Sequence, residues 1–332
     1  MSALFFALAF AVMALLVYMG RYSGRVRVEA KRFIAAPAEA VYANVADLAR
    51  WQAWNPWLEH ARDARAEVDG VTLAWDVPQV GRGRISQTGQ TPPRALRQQF
   101  SFDLPFASRG RSDWRFDPAP GGTLVTWRFK GRVAFTLRAF AATVKGATAL
   151  DLRFGLDRLA ATLEAAPPAY TLGYAGVQAQ PARRYAQLPH RGPLDKLATD
   201  LPPRIQDVRD RLAAAGAAPD SGHSAQGPAT VHYLKTQLKL RTVECRIGVE
   251  LPEGASAPEG LTLYAQPAHA AYVLRFNGPP EALELAWYQA MQRLRVEQHL
   301  PHPQLPPSAS YLQPSSPGQA AGVELHLPLQ HG

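Results

Sequence analysis

A repeat without gaps constrains this chain more than any other feature. Gln180-Pro181-Ala182 recurs as Gln266-Pro267-Ala268, and at the same offset Gly192-Pro193 recurs as Gly278-Pro279 and Leu197 as Leu283. Further on, Tyr233-Leu234 matches Tyr311-Leu312, and VECRIGV at 243–249 matches VELHLPL at 323–329. Each copy reads strand, Gly-Pro loop, helix, strand, strand, so one supersecondary unit is used twice. The copies run over about 170–250 and 258–330 and are expected to form one domain over 167–332, with Pro167-Pro168 beginning the break before it.

The first half carries a different pattern. VRVEAKRFIA alternates from Val26 as a strand, and Pro37 opens a short helix at a position where its missing N–H costs nothing. Candidate strands follow at Val71–Val77, Gly83–Thr88, Ala95–Phe102, Gly110–Phe116 and Thr123–Lys130, with DPAPGG at 117–122 as hairpin punctuation. A helical pattern then runs from Leu137 to Glu164, with Leu152, Leu156, Leu159 and Leu163 on one face. ADLARWQAWNPW at 46–57 places Trp51, Trp54 and Trp57 between the first helix and the meander. There they are expected to plug the end of a curved sheet, with Asp47 and Asn55 fixing the turns.

This order of elements, with VYANVADLARWQAWNPW, GRGRISQTG, GGTLVTWRFKG and a closing FGLDRLAATLE, resembles the START-like SRPBCC superfamily, the polyketide cyclase/dehydrase-like proteins. The resemblance implies a helix-grip domain over 23–166 that encloses an apolar cavity. The duplicated unit, with ARRYAQLPHRGPLDKL in one copy and AHAAYVLRFNGPPEALELAW in the other, resembles the GyrI-like small-molecule-binding domain, the effector-binding domain of AraC-type regulators. That resemblance implies a ligand groove between the repeats, often for lipophilic or cationic molecules, with a glutamate at its floor. Some relatives are hydrolases, so the fold alone leaves catalysis open.

Ser2–Gly20 contains no charged residue, and nineteen residues at helical rise just span roughly 30 Å of hydrocarbon. No basic n-region or clear cleavage site accompanies it, so 1–22 reads as an uncleaved transmembrane anchor. Arg21, Arg25, Arg27, Lys31 and Arg32 follow against Glu29 alone, which by the positive-inside rule predicts a bacterial inner-membrane protein with its domains in the cytoplasm. The net charge of +9 comes mostly from arginines scattered through the first half, and no nucleic-acid-binding motif uses it, so no nucleic-acid partner is expected. Cys245 is the only cysteine, which excludes an intrachain disulfide and a cysteine-rich metal site.

Glu324 and Glu244 hold equivalent places in the two copies, each opposite in direction to an apolar triplet on its strand. If the uncovered sheet faces meet at one groove, both carboxylates can receive an organic cation. Tyr233 and Tyr311, which begin the strand pairs, and Tyr288 and Trp287 on the second helix are the candidate aromatic walls; Leu283, Trp287 and Met291 share a helical stripe, which also fits a core position for Trp287. In the first domain Trp75, Phe100, Phe102, Trp114 and Phe140 are the cavity candidates. No nucleophile elbow, Walker loop or dinucleotide fingerprint is present, and the histidines lack metal spacing. No cofactor and no metal are therefore expected.

The expected fold class is α+β: a transmembrane helix, a helix-grip antiparallel domain and a duplicated β-α-β-β domain. The expected function is binding of small hydrophobic or cationic molecules, with cyclase or hydrolase chemistry on a small hydrophobic substrate and lipid binding at the inner membrane as the alternatives.

Overall fold

The computed structural model describes residues 2–21, 23–58, 66–77, 81–103, 108–166, 168–215, 228–237, 240–252, 254–312 and 322–330. Alternation of polar and apolar residues from Arg25 to Lys31 starts strand β1 (Arg25–Ile34), whose even positions Val26, Val28 and Ala30 are buried. Ahead of it lies α1 (Ser2–Gly20), and after it α2 (Ala38–Ala46), a 3₁₀ turn at Leu48–Arg50 and the single-turn helix α3 (Trp51–Trp54). The meander follows as β2 (Ala66–Asp69), β3 (Thr72–Val77), β4 (Gly81–Thr91), β5 (Ala95–Phe102), β6 (Ser108–Ala119) and β7 (Gly122–Arg132). A second 3₁₀ turn (Phe135–Phe140) leads into α4 (Ala141–Leu163). The seven strands form one antiparallel sheet in the order β1-β7-β6-β5-β4-β3-β2.

The remaining elements are β8 (Thr171–Gln180), β9 (Arg183–Pro193), α5 (Leu197–Ala214), β10 (Ala229–Gln237), β11 (Thr242–Leu251), β12 (Thr262–Gln266), β13 (His269–Asn277), α6 (Leu283–Val296), β14 (Ser308–Tyr311) and β15 (Val323–Pro328). They form a separate eight-stranded sheet ordered β12-β9-β11-β10-β14-β15-β13-β8. By internal contacts the chain divides at Pro168 into two units.

The class is thus α+β, two large antiparallel sheets with helices. The transmembrane part of the expectation is corrected: among the described residues no helix is long and apolar enough to cross a membrane. Helix α1 touches the Phe135–Phe140 turn of the first unit, and Phe5, Phe6 and Phe10 stay largely exposed. The single-pass, inner-membrane, cytoplasm-facing placement rested on that anchor and falls with it.

Tryptophans organise the first core. Trp51 and Trp54 are fully buried on α3, and Trp114 and Trp127 stack with ring centroids 4.2 Å apart. Their polar edges are mostly satisfied: the indole N–H of Trp114 donates to Gln98 Oε1 at 2.8 Å, that of Trp127 to Ser112 Oγ at 2.9 Å and that of Trp51 to the Val45 carbonyl at 2.9 Å. Buried Gln98 and Ser112 are therefore present because buried indoles need acceptors. Asp47 caps the turn before α3 by accepting from the Ala49 amide, and Asn55 Oδ1 accepts from the Trp57 amide at 2.8 Å. The cluster is the plug that its position in the sequence predicts.

Helix α4 grips this core with only one of its halves. Its buried residues, Leu152, Phe154, Gly155, Leu156, Leu159 and Ala160, all lie in the C-terminal half. That half is also tied down by Arg32 to Asp157, by the Ala35 amide to Glu164 and by Arg158 to the Ala53 carbonyl. The N-terminal half, from Ala141 to Asp151, has no buried residue. Two glycines on the one helix separate these regimes. A Cβ at Gly155 would stand 2.9 Å from Trp127 Cζ3 and 3.0 Å from Pro56 Cδ, whereas one at Gly146 would meet nothing within 4 Å. Both substitutions to alanine gain about 0.5–1 kcal/mol of helix propensity. Gly146→Ala should therefore raise stability by about that amount. Gly155→Ala should lower it by roughly 1 kcal/mol or more through overpacking. Urea unfolding followed by tryptophan fluorescence checks the pair, and equal signs would contradict the unequal grip.

Candidate functional site

The second sheet curls because of two short links. Only Pro181 and Ala182 separate β8 from β9, and only Pro267 and Ala268 separate β12 from β13. In the sheet each linked pair stands six strand positions apart, roughly 29 Å if the sheet were flat. Three peptide steps reach about 11 Å at most. The two edges must therefore approach each other at this end, where Gln180 pairs with His269 and Gln266 with Arg183. Each copy's first strand pairs with the second strand of the other copy, and the order mirrors about the β10–β14 junction.

Contacts across the strands show which face is concave. The Tyr264 and His232 rings lie 5.0 Å apart although β12 and β10 have two strands between them. Tyr185 also packs on His232, at 4.8 Å. Gln187 bonds His232 Nδ1 at 2.7 Å over the intervening strand β11, at the level where β11 carries Gly248. A Cβ there would stand 2.6 Å from Gln187 Cγ and 2.6 Å from the Ala186 carbonyl oxygen. Glycine at 248 leaves the space in which the side chains meet.

This inner face is polar and buried. Gln187, Thr230, His232, Gln266, His269, Ser308 and Ser310 are each under a tenth exposed. His269 Nδ1 lies 2.9 Å from the Pro267 carbonyl, which can only accept, so Nδ1 carries a proton. With the Gln187 amide nitrogen donating to Nδ1, the neutral ring of His232 carries its proton on Nε2. Nε2 of His232, Nε2 of His269 and Oε1 of Gln187 are buried without hydrogen-bond partners. Burial pulls the His232 pKa down to about 4; a contact from Gln266 opposes this, and the charges of His326, Arg246 and His269 add to it. Burial lowers His326 as well, against the pull of Glu324.

Glu324 lies on this same face, in register with Ser310 and Arg275. Its carboxylate accepts from Arg275 Nε at 2.8 Å and stands 3.7 Å from His326 Nε2. It is thus already neutralised in part. Glu244 is exposed, paired in register with Arg191 and Lys235.

The expected aromatic walls lie elsewhere. Tyr311 pairs with Val323, so strand alternation turns it to the face opposite Glu324, toward the helices. Tyr233 joins it there, packed edge-on against Trp287 at 5.1 Å between Leu325-side and Cys245-side cores. Burial, with the neighbouring Tyr311, holds the Tyr233 hydroxyl well above its ordinary pKa, and burial pushes Tyr311 up to about 12. Tyr233, Tyr311 and Trp287 therefore do not share a groove with Glu324. Tyr288 is half-buried beside Trp287 on α6. The buried stripe of α6 is Leu285, Ala286, Gln289, Ala290 and Leu294, not the Leu283-Trp287-Met291 stripe; Met291 is exposed. Cys245 is buried, and burial raises its thiol to about 12, so it is a core residue. Among the described residues no group of three or more His, Cys, Asp or Glu side chains is placed to hold a metal.

In the first unit Trp75, Phe100 and Trp114 are buried and Phe102 half-buried, all within one aromatic cluster that fills the space beneath the sheet. Phe140 is 60% exposed on the turn before α4 and lines nothing in that interior. The incomplete part of the cover is the N-terminal half of α4 with the turn before it, where Ala141 and Val144 of the helix and Leu137 of the turn pack half-buried on the core, as Trp57 and Phe102 do. Trp57 is held by its indole N–H, donated to Asp151 Oδ2 at 3.1 Å.

Residues 25–164 match the polyketide cyclase / dehydrase and lipid transport family. The match spans β1 to the end of α4, so the helix-grip reading of this unit holds. Among solved structures, protein CV1439 from Chromobacterium violaceum is 16% identical over 42% of this chain and 98% of its own, with a TM-score of 0.34. Protein Mll3558 from Rhizobium loti is 17% identical over 42% and 97%, with a TM-score of 0.35. The EcmrR C-terminal domain is 15% identical over 49% and 99%, with a TM-score of 0.39. No curated protein matches the chain.

The residues that sequence reasoning missed are His232, His269, Gln187 and Gly248. Only a polar residue at alternate positions of an otherwise apolar strand, as in ATVHYL, could have pointed to His232. Its depressed pKa has a consequence for stability. Above the ordinary value of 6.5 the ring is neutral folded or unfolded, and stability does not change. As pH falls from 6.5 to about 4 the unfolded chain takes up a proton that the folded state refuses, so stability falls by about 3 kcal/mol and then levels. His232→Gln should flatten this slope. Urea unfolding read by amide exchange of β10 and β11 at pH 7.5, 6, 5 and 4.5 checks it, and an unchanged slope would mean that His232 is not held neutral.

Proposed function

We propose that the first unit binds a small hydrophobic molecule beneath the N-terminal half of α4. One observation carries the reading: the helix that closes the sheet buries six residues in one half and none in the other. Displacing Leu137, Ala141 and Val144 gives up only half-buried packing on the core, while the ties to Arg32 and Ala35 keep the other half of α4 in place. An apolar ligand would complete burial that the protein leaves unfinished. The lipid-transport and cyclase description of the matching family supports the ligand class. Val144→Asp should weaken binding of a neutral lipophilic dye by tenfold or more, with Thr88→Asp, on an exposed strand position, as the control. Unchanged dye affinity in Val144→Asp would remove the proposal.

We infer further that the second unit is a GyrI-like ligand-binding domain whose concave face takes a lipophilic cation on Glu324. Support comes from the mirrored strand order and from buried polar groups on that face that lack partners. The Arg275 side chain that occupies Glu324 is 59% exposed, and such a pair contributes little and can be displaced. Tyr185 and Tyr264 supply aromatic faces on the same side. Tetraphenylphosphonium should raise the melting temperature of the full chain. Glu324→Gln should abolish the rise, and Arg275→Ala should strengthen binding several-fold. A rise that persists in Glu324→Gln would exclude the carboxylate.

A further inference from the structure

The outer face of the first sheet gathers cations that are scattered along the sequence. Register places Arg25, Arg132 and Arg109 side by side across β1, β7 and β6, and in the next row Arg27, Lys130 and Arg111. Arg25, Arg27, Arg109, Lys130 and Arg132, with Val26 and Gly131, line a shallow, open cleft of about 260 Å³. All five cations are exposed. The nearest carboxylates are already engaged: Asp113 pairs with Arg97 at 3.2 Å, Arg111 at 3.2 Å and Lys130 at 3.8 Å, and Glu29 with Lys31 and Arg128.

Like charges directly opposite one another on neighbouring strands destabilise a sheet. Nothing in the packing calls for them, since the side chains point away from the core and a neutral polar residue would serve the strands equally well. Four guanidiniums and an ammonium around one cleft match a multivalent oxyanion, because each guanidinium presents a planar fork of donors to phosphate oxygens.

We propose that this cleft binds a soluble, compact, multiply charged phosphate compound of the diphosphate or polyphosphorylated type. Its size sets the class. Two rows on three strands span roughly 10 Å by 7 Å, and the third row, Glu29, Arg128 and Asp113, interrupts the cations with two carboxylates. A nucleic-acid backbone would need a basic track that continues, so that several successive phosphates are neutralised.

The test is titration calorimetry of the full chain with inorganic pyrophosphate and with inositol hexakisphosphate at physiological salt. Both should bind. A triple variant, Arg27→Gln, Arg109→Gln and Lys130→Gln, should weaken binding at least tenfold, while Arg84→Gln, which removes a charge on β4, should leave it within twofold. Without ligand the triple variant should melt at a higher temperature, because repulsion is relieved; cations serving the fold would give a lower one. Equal affinity in the triple variant, or no binding of either compound, would overturn the proposal. So would binding of phosphatidylglycerol vesicles or of a single-stranded RNA that pyrophosphate fails to displace, since either would assign the cleft to a surface or a strand rather than to a compact anion.

Discussion

Two links of two residues each, Pro181-Ala182 and Pro267-Ala268, govern the second half of the molecule. They join strands that would stand far apart in a flat sheet, so the sheet has to curl and its edges converge. The curl removes one face from water, and among the described residues no helix covers that face. Apolar side chains on the other face, Val231, Cys245, Ile247, Leu274 and Leu325 among them, take the helices α5 and α6. The concave face is left to polar groups, and its histidines become buried because strands approach them from across the sheet. A neutral imidazole at His232 follows from that enclosure, since a charge there would lie in a poorly solvated space.

Enclosure works differently in the first unit. Trp51, Trp54, Trp114 and Trp127 fill the hollow of the sheet with rings, and indole N–H groups account for two of the buried polar residues beneath it, Gln98 and Ser112. A rigid aromatic floor needs little from α4 beyond a grip at one end. The other end of the helix is correspondingly half-covered. The same sheet turns its alternate residues outward, and because β1, β7 and β6 are neighbours, their arginines add up to a concentrated positive field.

Much of this was legible beforehand. Periodicity predicts β5 to the residue, the Trp cluster falls at the end of the sheet, and the repeat implies one unit used twice, which the strand order arranges as mirror images. The errors share a cause. Tyr311, which like Tyr233 begins a strand pair of its copy, is expected as an aromatic wall beside Glu324, yet it pairs with Val323 and so faces the other way. Trp287 was assigned to a stripe through Met291, whereas α6 rests on its alanines, Ala286 and Ala290, which allow close approach to the sheet. Glu324 was expected as an open carboxylate, but Arg275 is its cross-strand neighbour.

The sequence by itself determined the class of each half, the boundary near Pro168 and the residues that alternate between the faces of each strand, because those depend on local chain chemistry and on periods of two and of 3.6. It also suggested a membrane helix from apolar composition alone, and the 19-residue helix of the structure does not meet that requirement. Tertiary structure decided everything that depends on which strand lies beside which. The order β1-β7-β6 makes a cationic cleft out of dispersed arginines, and the curl brings Tyr264 and Gln187 to His232. Neighbours in space are set by strand order and sheet curvature, and neither is written in any local stretch of residues.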